Sequence, residues 1–235
     1  MNFSICQINP SVGDLKYNYE KIVKFYNKSI SSGCDIIIFP ELSITGYPPK
    51  DLLFEKKFID KNLMYAEKLS KLSTKPIIFG YVSRNRGKLY NSAAISFDGK
   101  LRFSYNKRLL PNYDVFDEHR YFFNGTDIGV YKLIYNNIKI KIGLQICEDL
   151  WDDNQELKVS EEQKENGAEI LINISASPFS IGKLEKRIKL IKKKIKELRL
   201  PFIYCNMVGA QDEIIFDGSS LAFSNNGGLV KQAEY

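Results

Sequence analysis

Three segments carry side chains able to split an amide bond: "FPELSITGYPP" holds Glu41, "YNKRLLPNY" holds Lys107 and "LQICEDLW" holds Cys147. A free thiol is only a few per cent thiolate near neutral pH, so a nucleophilic cysteine needs a base or a neighbouring cation. Histidine is the usual base, but the one histidine, His119, sits among charged residues in "FDEHRYF", where a solvated loop residue is the simpler reading. A glutamate can serve instead if burial and the thiol raise its pKa toward the working pH. A lysine ammonium would then supply fixed positive charge. Together with the backbone N–H of Glu148, directly after the nucleophile, it could hold the oxyanion of a tetrahedral intermediate. Such a set suits acyl transfer from an amide or nitrile through a thioester. Spacing alone leaves plainer roles open: Glu41 as a helix cap or surface acid, Lys107 as a solvated strand end, Cys147 as a buried thiol.

The elements that must position these residues are legible as periodicity. "DIIIFP" precedes Glu41, "LRFSY" precedes Lys107, and Ile138, Ile140, Ile142, Leu144 and Ile146 alternate before Cys147, all in the manner of strands. The rest alternates strand and helix. "FSICQI" predicts a first strand, Leu15 to Ser31 a helix, "FIDKNLMYAEKLSKL" a second helix and "PIIFGYVS" a strand. Hairpins are expected to turn at Asp98-Gly99 and at Asn136-Asn137. A helix near Glu156 to Asn166, the strand "EILINIS", a basic helix, the strand "FIYCNM" and a terminal strand "SSLAFS" ending at "NNGG" follow. This is an α/β pattern with strands inside and helices outside. The two longest irregular stretches, 40 to 53 and 107 to 127, begin at strand ends as the Cys147 segment does. A mixed sheet with a parallel core would bring all three ends to one pocket.

Composition narrows the class. With 235 residues, 44% of them hydrophobic, the chain supports one substantial core and is read as one domain. No apolar run approaches the roughly 20 residues that span a bilayer, and the N-terminus lacks a basic-then-apolar leader, so a soluble cytoplasmic protein with no membrane partner is expected. Four cysteines without a CxxC pair and a single histidine argue against disulfides and zinc. The formal charge of +6 raises the question of nucleic acid. Many of the cations lie in "KLEKRIKLIKKKIKELR", residues 183 to 199, where Leu184, Ile188, Ile191, Ile195 and Leu198 recur at steps of three and four. One apolar face with the lysines on a solvated opposite face is the expectation, without a nucleic-acid partner.

At these segments the sequence resembles the nitrilase (carbon-nitrogen hydrolase) superfamily: "FPELSITGYPPKDLL", "NKRLLPNYDVFDEHRYF" and "LQICEDLW" match its three signatures in order. The Tyr-Pro-Pro-Lys-Asp-Leu-Leu extension, the Pro-Asn-Tyr-x-Val-Phe-Asp-Glu loop, Cys-Glu-Asp-Leu-Trp and "ISASPFSIGK" are similar to its glutaminase branch, that of glutamine-dependent NAD synthetases. The resemblance covers almost the whole chain. It implies a four-layer αββα sandwich, with Glu41 as general base, Lys107 as oxyanion stabiliser and Cys147 as nucleophile. It also implies L-glutamine binding by Tyr113, Ser177 and Lys183, with Glu148, Phe116, Trp151 and Tyr47 around the pocket and Glu118 holding Lys107. It implies no metal or cofactor in this domain, a synthetase domain or subunit as partner, and a homo-oligomer. Lys183 also reads simply as the first turn of the basic helix.

Two departures stand out. His119 occupies a position where the family often has lysine, and the chain shows no Ser-Gly-Gly-x-Asp-Ser loop of the ATP- and magnesium-using synthetase domain. Residues 1 to 235 are therefore expected to form a nitrilase-like domain short of the family's C-terminal end. The expected function is glutamine hydrolysis feeding NAD synthesis. A free-standing amidase for small amides, or a non-catalytic assembly module with this fold, are the alternatives.

Overall fold

A strand turns successive side chains to opposite faces, and this sorts the layers of the computed structural model, which describes residues 1–234. The first half comprises β1 (Phe3–Ile5), α1 (Leu15–Ser31), β2 (Ile36–Ile38), α2 (Lys56–Leu72), β3 (Ile77–Asn85), β4 (Lys88–Phe97) and β5 (Lys100–Asn106). The five strands pair in sequence order, β1 to β3 parallel and β3 to β5 antiparallel. Ile36 and Ile38 of β2 join Ile78, Ala93 and Ile95 in one apolar layer, whereas Ile37 between them meets Phe79, Ala94 and the helix residues Ile22, Tyr26 and Leu69.

The second half repeats the arrangement. It comprises β6 (Val130–Tyr135), β7 (Ile138–Ile146), α3 (Val159–Glu165), β8 (Ile170–Ser175), α4 (Lys183–Leu198), β9 (Phe202–Asn206), β10 (Val208–Gln211), β11 (Ile214–Asp217), β12 (Leu221–Phe223) and β13 (Leu229–Gln232). Six strands lie in the order β13-β12-β9-β8-β7-β6, with β7, β8 and β9 parallel. Leu144, Ile146, Ile172 and Ile174 face the first sheet's Ile36, Ile38 and Ile95, while Leu171, Phe202 and Tyr204 pack outward against Leu190, Ile191 and Ile195 of α4. Two sheets thus share one core and carry helices outside, the αββα sandwich that the resemblance implies, in place of the one mixed sheet that alternation alone suggests.

Both hairpins turn where expected, at Asp98-Gly99 and Asn136-Asn137. Four boundaries differ. The first strand is Phe3–Ile5, not the full "FSICQI", and α3 starts at Val159 after an irregular 156 to 158. β10 and β11 form an unexpected hairpin, since "VGAQ" is too short and too poor in apolar alternation to announce itself. β12 is not terminal, because β13 follows the "NNGG" turn and pairs with it. The basic helix needs a correction as well. Arg187 and Lys194 lie on the buried side, at four and three residues from Ile191, because Asp217, Asp152 and Glu161 meet them there.

Candidate active site

Glu41 enters the interior because β3 contains Gly80. After β2 the chain crosses β3 so closely that a Cβ at Gly80 would lie 2.1 Å from the Leu42 nitrogen and 2.6 Å from the Glu41 carbonyl carbon. The Gly80 N–H donates to the Pro40 carbonyl at 3.1 Å and fixes this crossing. Glu41 ends wholly buried. Its Oε1 accepts from Asn91 Nδ2 at 2.7 Å and Lys107 Nζ at 2.9 Å, and its Oε2 accepts from the Ala176 N–H at 2.7 Å.

Lys107 is the first residue past β5. Its N–H donates to the Asn91 carbonyl and its own carbonyl accepts from the Gly125 N–H, both at 2.8 Å. Its Nζ reaches Glu118 Oε1 at 2.8 Å, an oxygen that also accepts from the Tyr47 hydroxyl at 2.8 Å. Burial works against the ammonium, but the charges of Glu118 and Glu41 outweigh it and hold its pKa well above the ordinary value. Burial pushes the Glu118 carboxyl up to about 7 against the pull of Lys107. Glu118 Oε2 is buried without a partner.

Cys147 follows β7 with a φ of 43°, a left-handed conformation that side-chain-bearing residues adopt only when their surroundings impose it. It opens a tight helical turn, Cys147–Leu150. The turn is tied down by Asp149, which is fully buried. Its Oδ1 accepts from the Arg108 and Leu109 N–H groups at 3.0 Å each, and its Oδ2 from the Ile146 N–H at 2.9 Å and the Tyr105 hydroxyl at 2.8 Å. One carboxylate therefore links the turn carrying Cys147 to the segment just after Lys107. Burial first, then the charge of Glu41, pushes the Cys147 thiol well above its ordinary pKa, with Lys107 opposing. The resting thiol keeps its proton, so attack requires a base in contact with it.

The remaining sequence-named residues ring this centre. Tyr113 donates to both oxygens of Glu148, at 3.0 and 2.9 Å. Lys183 lies 4.2 Å over the Trp151 ring; burial raises the Glu148 carboxyl pKa, with the Tyr113 hydrogen bond, Lys107 and Lys183 opposing. Phe116 stands edge-on to Tyr113 at 5.5 Å and tilted to Tyr47 at 6.5 Å. Ser177 is buried next to Ala176, its N–H donating to Asn206 Oδ1 at 2.9 Å. His119 is exposed on the single turn Glu118–Arg120.

Sequence reasoning missed Asn91, Asp149, Asn206 and the Ala176 N–H. A lone asparagine within the apolar strand "LYNSAAISF" was a signal for the first, and the second acid after Cys147 for Asp149. Among the described residues no cluster of His, Cys, Asp and Glu could hold a metal ion, and no helix is long and apolar enough to cross a membrane.

Residues 3–235 match the family model described as carbon-nitrogen hydrolase. Glutamine-dependent NAD(+) synthetase of Thermotoga maritima is 34% identical over 236 residues, covering 98% of this chain and 39% of that protein. The one from Acinetobacter baylyi is 36% identical over 231 residues, covering 98% and 41%. The chain spans less than half the length of these relatives. A solved glutamine-dependent NAD+ synthetase from Acinetobacter baumannii, in complex with ADP, superposes with a TM-score of 0.91 at 34% identity, over 99% of this chain and 43% of that one. An amidase from Nesterenkonia sp. superposes with a TM-score of 0.84 at 17% identity, over 100% and 86%, a likeness of fold alone.

Proposed function

Because the chain belongs to the carbon-nitrogen hydrolase family, we propose that it is a glutamine amidohydrolase domain supplying ammonia for the amidation of nicotinic acid adenine dinucleotide. One observation carries the substrate: beside the buried Glu41, Lys107 and Cys147 stand a carboxylate, Glu148, and an ammonium, Lys183. Charges of opposite sign at one rim suit the zwitterionic end of an amino acid, whose ammonium needs acceptors and whose carboxylate needs a donor. The relatives named above are glutamine-dependent NAD synthetases, which supports the same reading.

In this scheme Glu41 takes the Cys147 proton as Sγ bonds to the carboxamide carbon. Lys107 and the Glu148 N–H face the oxygen that gains charge. Glu41 returns the proton to the leaving nitrogen, the C–N bond breaks and ammonia departs, leaving a glutamyl thioester. Glu41 then takes a proton from water, which attacks the thioester; the C–S bond breaks and the proton returns to sulfur. Glu118 shares the Lys107 ammonium with Glu41, so that the base is not wholly committed to one ion pair. The scheme uses no metal or cofactor in this domain. ATP and magnesium belong to the amidation, carried out by a synthetase domain or subunit as partner.

The test is glutamate and ammonia release from L-glutamine by the purified chain and by Cys147→Ala, each with and without a synthetase partner holding ATP and nicotinic acid adenine dinucleotide. Slow hydrolysis that rises with the partner and vanishes in Cys147→Ala is expected. Fast hydrolysis indifferent to the partner would favour a free-standing amidase, and none under either condition a non-catalytic module.

A further inference from the structure

Among the described residues Arg187 is the largest fully buried side chain. Its position on α4 falls on the apolar stripe, where a leucine would avoid the several kcal/mol that burying an ion costs. It is paired with Asp217 at the end of β11, Nη2 to Oδ1 at 3.1 Å and Nη1 to Oδ2 at 3.3 Å. Buried pairs of this kind add little stability over well-packed apolar residues, so stability does not account for it.

The guanidinium has a second partner. Nη2 also donates to Ser177 Oγ at 3.3 Å. A serine hydroxyl has one hydrogen to donate, whereas a guanidinium only donates, so at this contact Ser177 accepts. The other polar groups of Ser177 are taken as well: its N–H by Asn206 Oδ1 at 2.9 Å and its carbonyl by Asn206 Nδ2 at 3.4 Å. Asn206 Nδ2 is in turn 3.1 Å from Asp217 Oδ1. Ser177 is thereby pinned on three sides, and its hydroxyl hydrogen is left to the buried Tyr204 hydroxyl, which has no hydrogen-bond partner, or to a ligand. One residue earlier, the Ala176 N–H holds Glu41. Four residues before Arg187, on the same side of the helix, Lys183 begins α4 and covers Trp151.

We propose that the Arg187–Asp217 pair is a positioning device: it fixes the Ser177 segment and the start of α4 together, and turns the Ser177 hydroxyl hydrogen toward the amino-acid end of the substrate. The inference rests on the glutamine reading above and names a residue that touches no substrate. Its loss therefore weakens substrate binding far more than it slows bond breaking, and it acts through Ser177.

The experiment compares wild type, Ser177→Ala, Arg187→Lys and the apolar pair Arg187→Met with Asp217→Leu, which leaves neither charge buried alone, each also combined with Ser177→Ala. With L-glutamine as probe, Ser177→Ala and the apolar pair are each expected to raise KM about tenfold, the worth of one hydrogen bond, with kcat changed less than about threefold. The combined variant is expected to be no worse than Ser177→Ala alone. Arg187→Lys keeps the charge beside Asp217 but lacks the forked second donor, so it too should raise KM, and this rise should vanish in the Ser177→Ala background. It carries the test if the apolar pair does not fold. The rate of Cys147 alkylation by iodoacetamide, followed by mass, is expected to stay constant across the set. Effects that multiply in the combined variants, or a fall in kcat with KM unmoved, would overturn the positioning role while leaving glutamine hydrolysis intact. A wild-type chain that neither hydrolyses L-glutamine nor is protected by it from alkylation would overturn both.

Discussion

Replacing Asp149 by asparagine isolates the carboxylate that joins the Cys147 turn to the Lys107 segment. Four donors converge on it: two backbone N–H groups on Oδ1, and one N–H with the Tyr105 hydroxyl on Oδ2. An asparagine must keep its carbonyl toward Arg108 and Leu109, because neither N–H can reverse. Its amide nitrogen then meets the Ile146 N–H donor to donor. Tyr105 can rotate its hydrogen away and accept, but Ile146 cannot. One buried N–H left unpaired costs about 1–3 kcal/mol, and the surviving bonds lose the strengthening that a charged acceptor gives. A total near 3 kcal/mol is expected, which for a chain of this size lowers Tm by roughly 6–12 °C. The turn also relaxes relative to Lys107, and a misplacement of about 1 Å at a reacting group can cost about a hundredfold in kcat. Thermal unfolding followed by circular dichroism, with glutamate release at saturating L-glutamine, measures both. A Tm within about 1 °C of wild type and kcat within about twofold, both well inside those estimates, would show that the turn is held by something other than Asp149.

The Glu118 carboxyl, raised from 4.5 to about 7, makes activity and stability run in opposite directions with pH. Its raised pKa means that folding favours the protonated form, so that contribution to stability is full below about pH 4.5 and is lost as pH rises through about 7. In the proposed scheme hydrolysis instead needs the ionised form beside Lys107, so kcat/KM should climb through the same interval, and Glu118→Gln should remove that limb; an unchanged profile refutes the assignment. Lys107→Arg keeps the charge but replaces a point-like ammonium seated between two carboxylate oxygens with a wide planar fork, so kcat should fall by about 10²–10³; near-normal turnover would mean that placement is unimportant. A glutamine-analogue electrophile should label Cys147 alone, because Cys147 has Glu41 and Lys107 beside it, whereas Cys6 meets the Ser4 and Ser29 hydroxyls, Cys205 meets backbone carbonyls and Cys34 stands apart from the site; peptide mapping that finds another cysteine modified would refute the nucleophile assignment.

Strands and hairpins were legible where a local rule sufficed. Asp98-Gly99 and Asn136-Asn137 turned as expected because left-handed backbone at Asp98, Gly99 and Asn136 suits those residue types. The division into two sheets was not legible from alternation, since Ile37 facing a helix and Ile38 facing a second sheet are equally apolar. Family resemblance supplied what periodicity could not. The same blindness hid Arg187 and Lys194: a cation on an apolar stripe reads as solvated until a distant acid is known to meet it. Residues 107, 41 and 147 could be named because each lies in a segment that resembles a family signature; their position after strands alone left plainer roles open. Asp149, Asn91 and Gly80 were not named, because the groups that give them their roles, the Arg108 and Leu109 amides, the Glu41 carboxylate and the Pro40–Leu42 backbone, lie far away in sequence.

Glu41 and Lys107 leave the first sheet and Cys147 leaves the second, so the proposed reacting groups meet across a seam. The isoleucine layer filling that seam attracts without direction, and it permits the sheets to slip or spread slightly while staying dry. Bonds with direction cross it at the site: the Arg108 and Leu109 amides and the Tyr105 hydroxyl to Asp149, and the Ala176 amide to Glu41. Turnover is then a caliper on the seam. On warming, the jaws should lose their setting while both sheets are still folded, and catalysis should fade at a lower temperature than the far-ultraviolet signal of the strands.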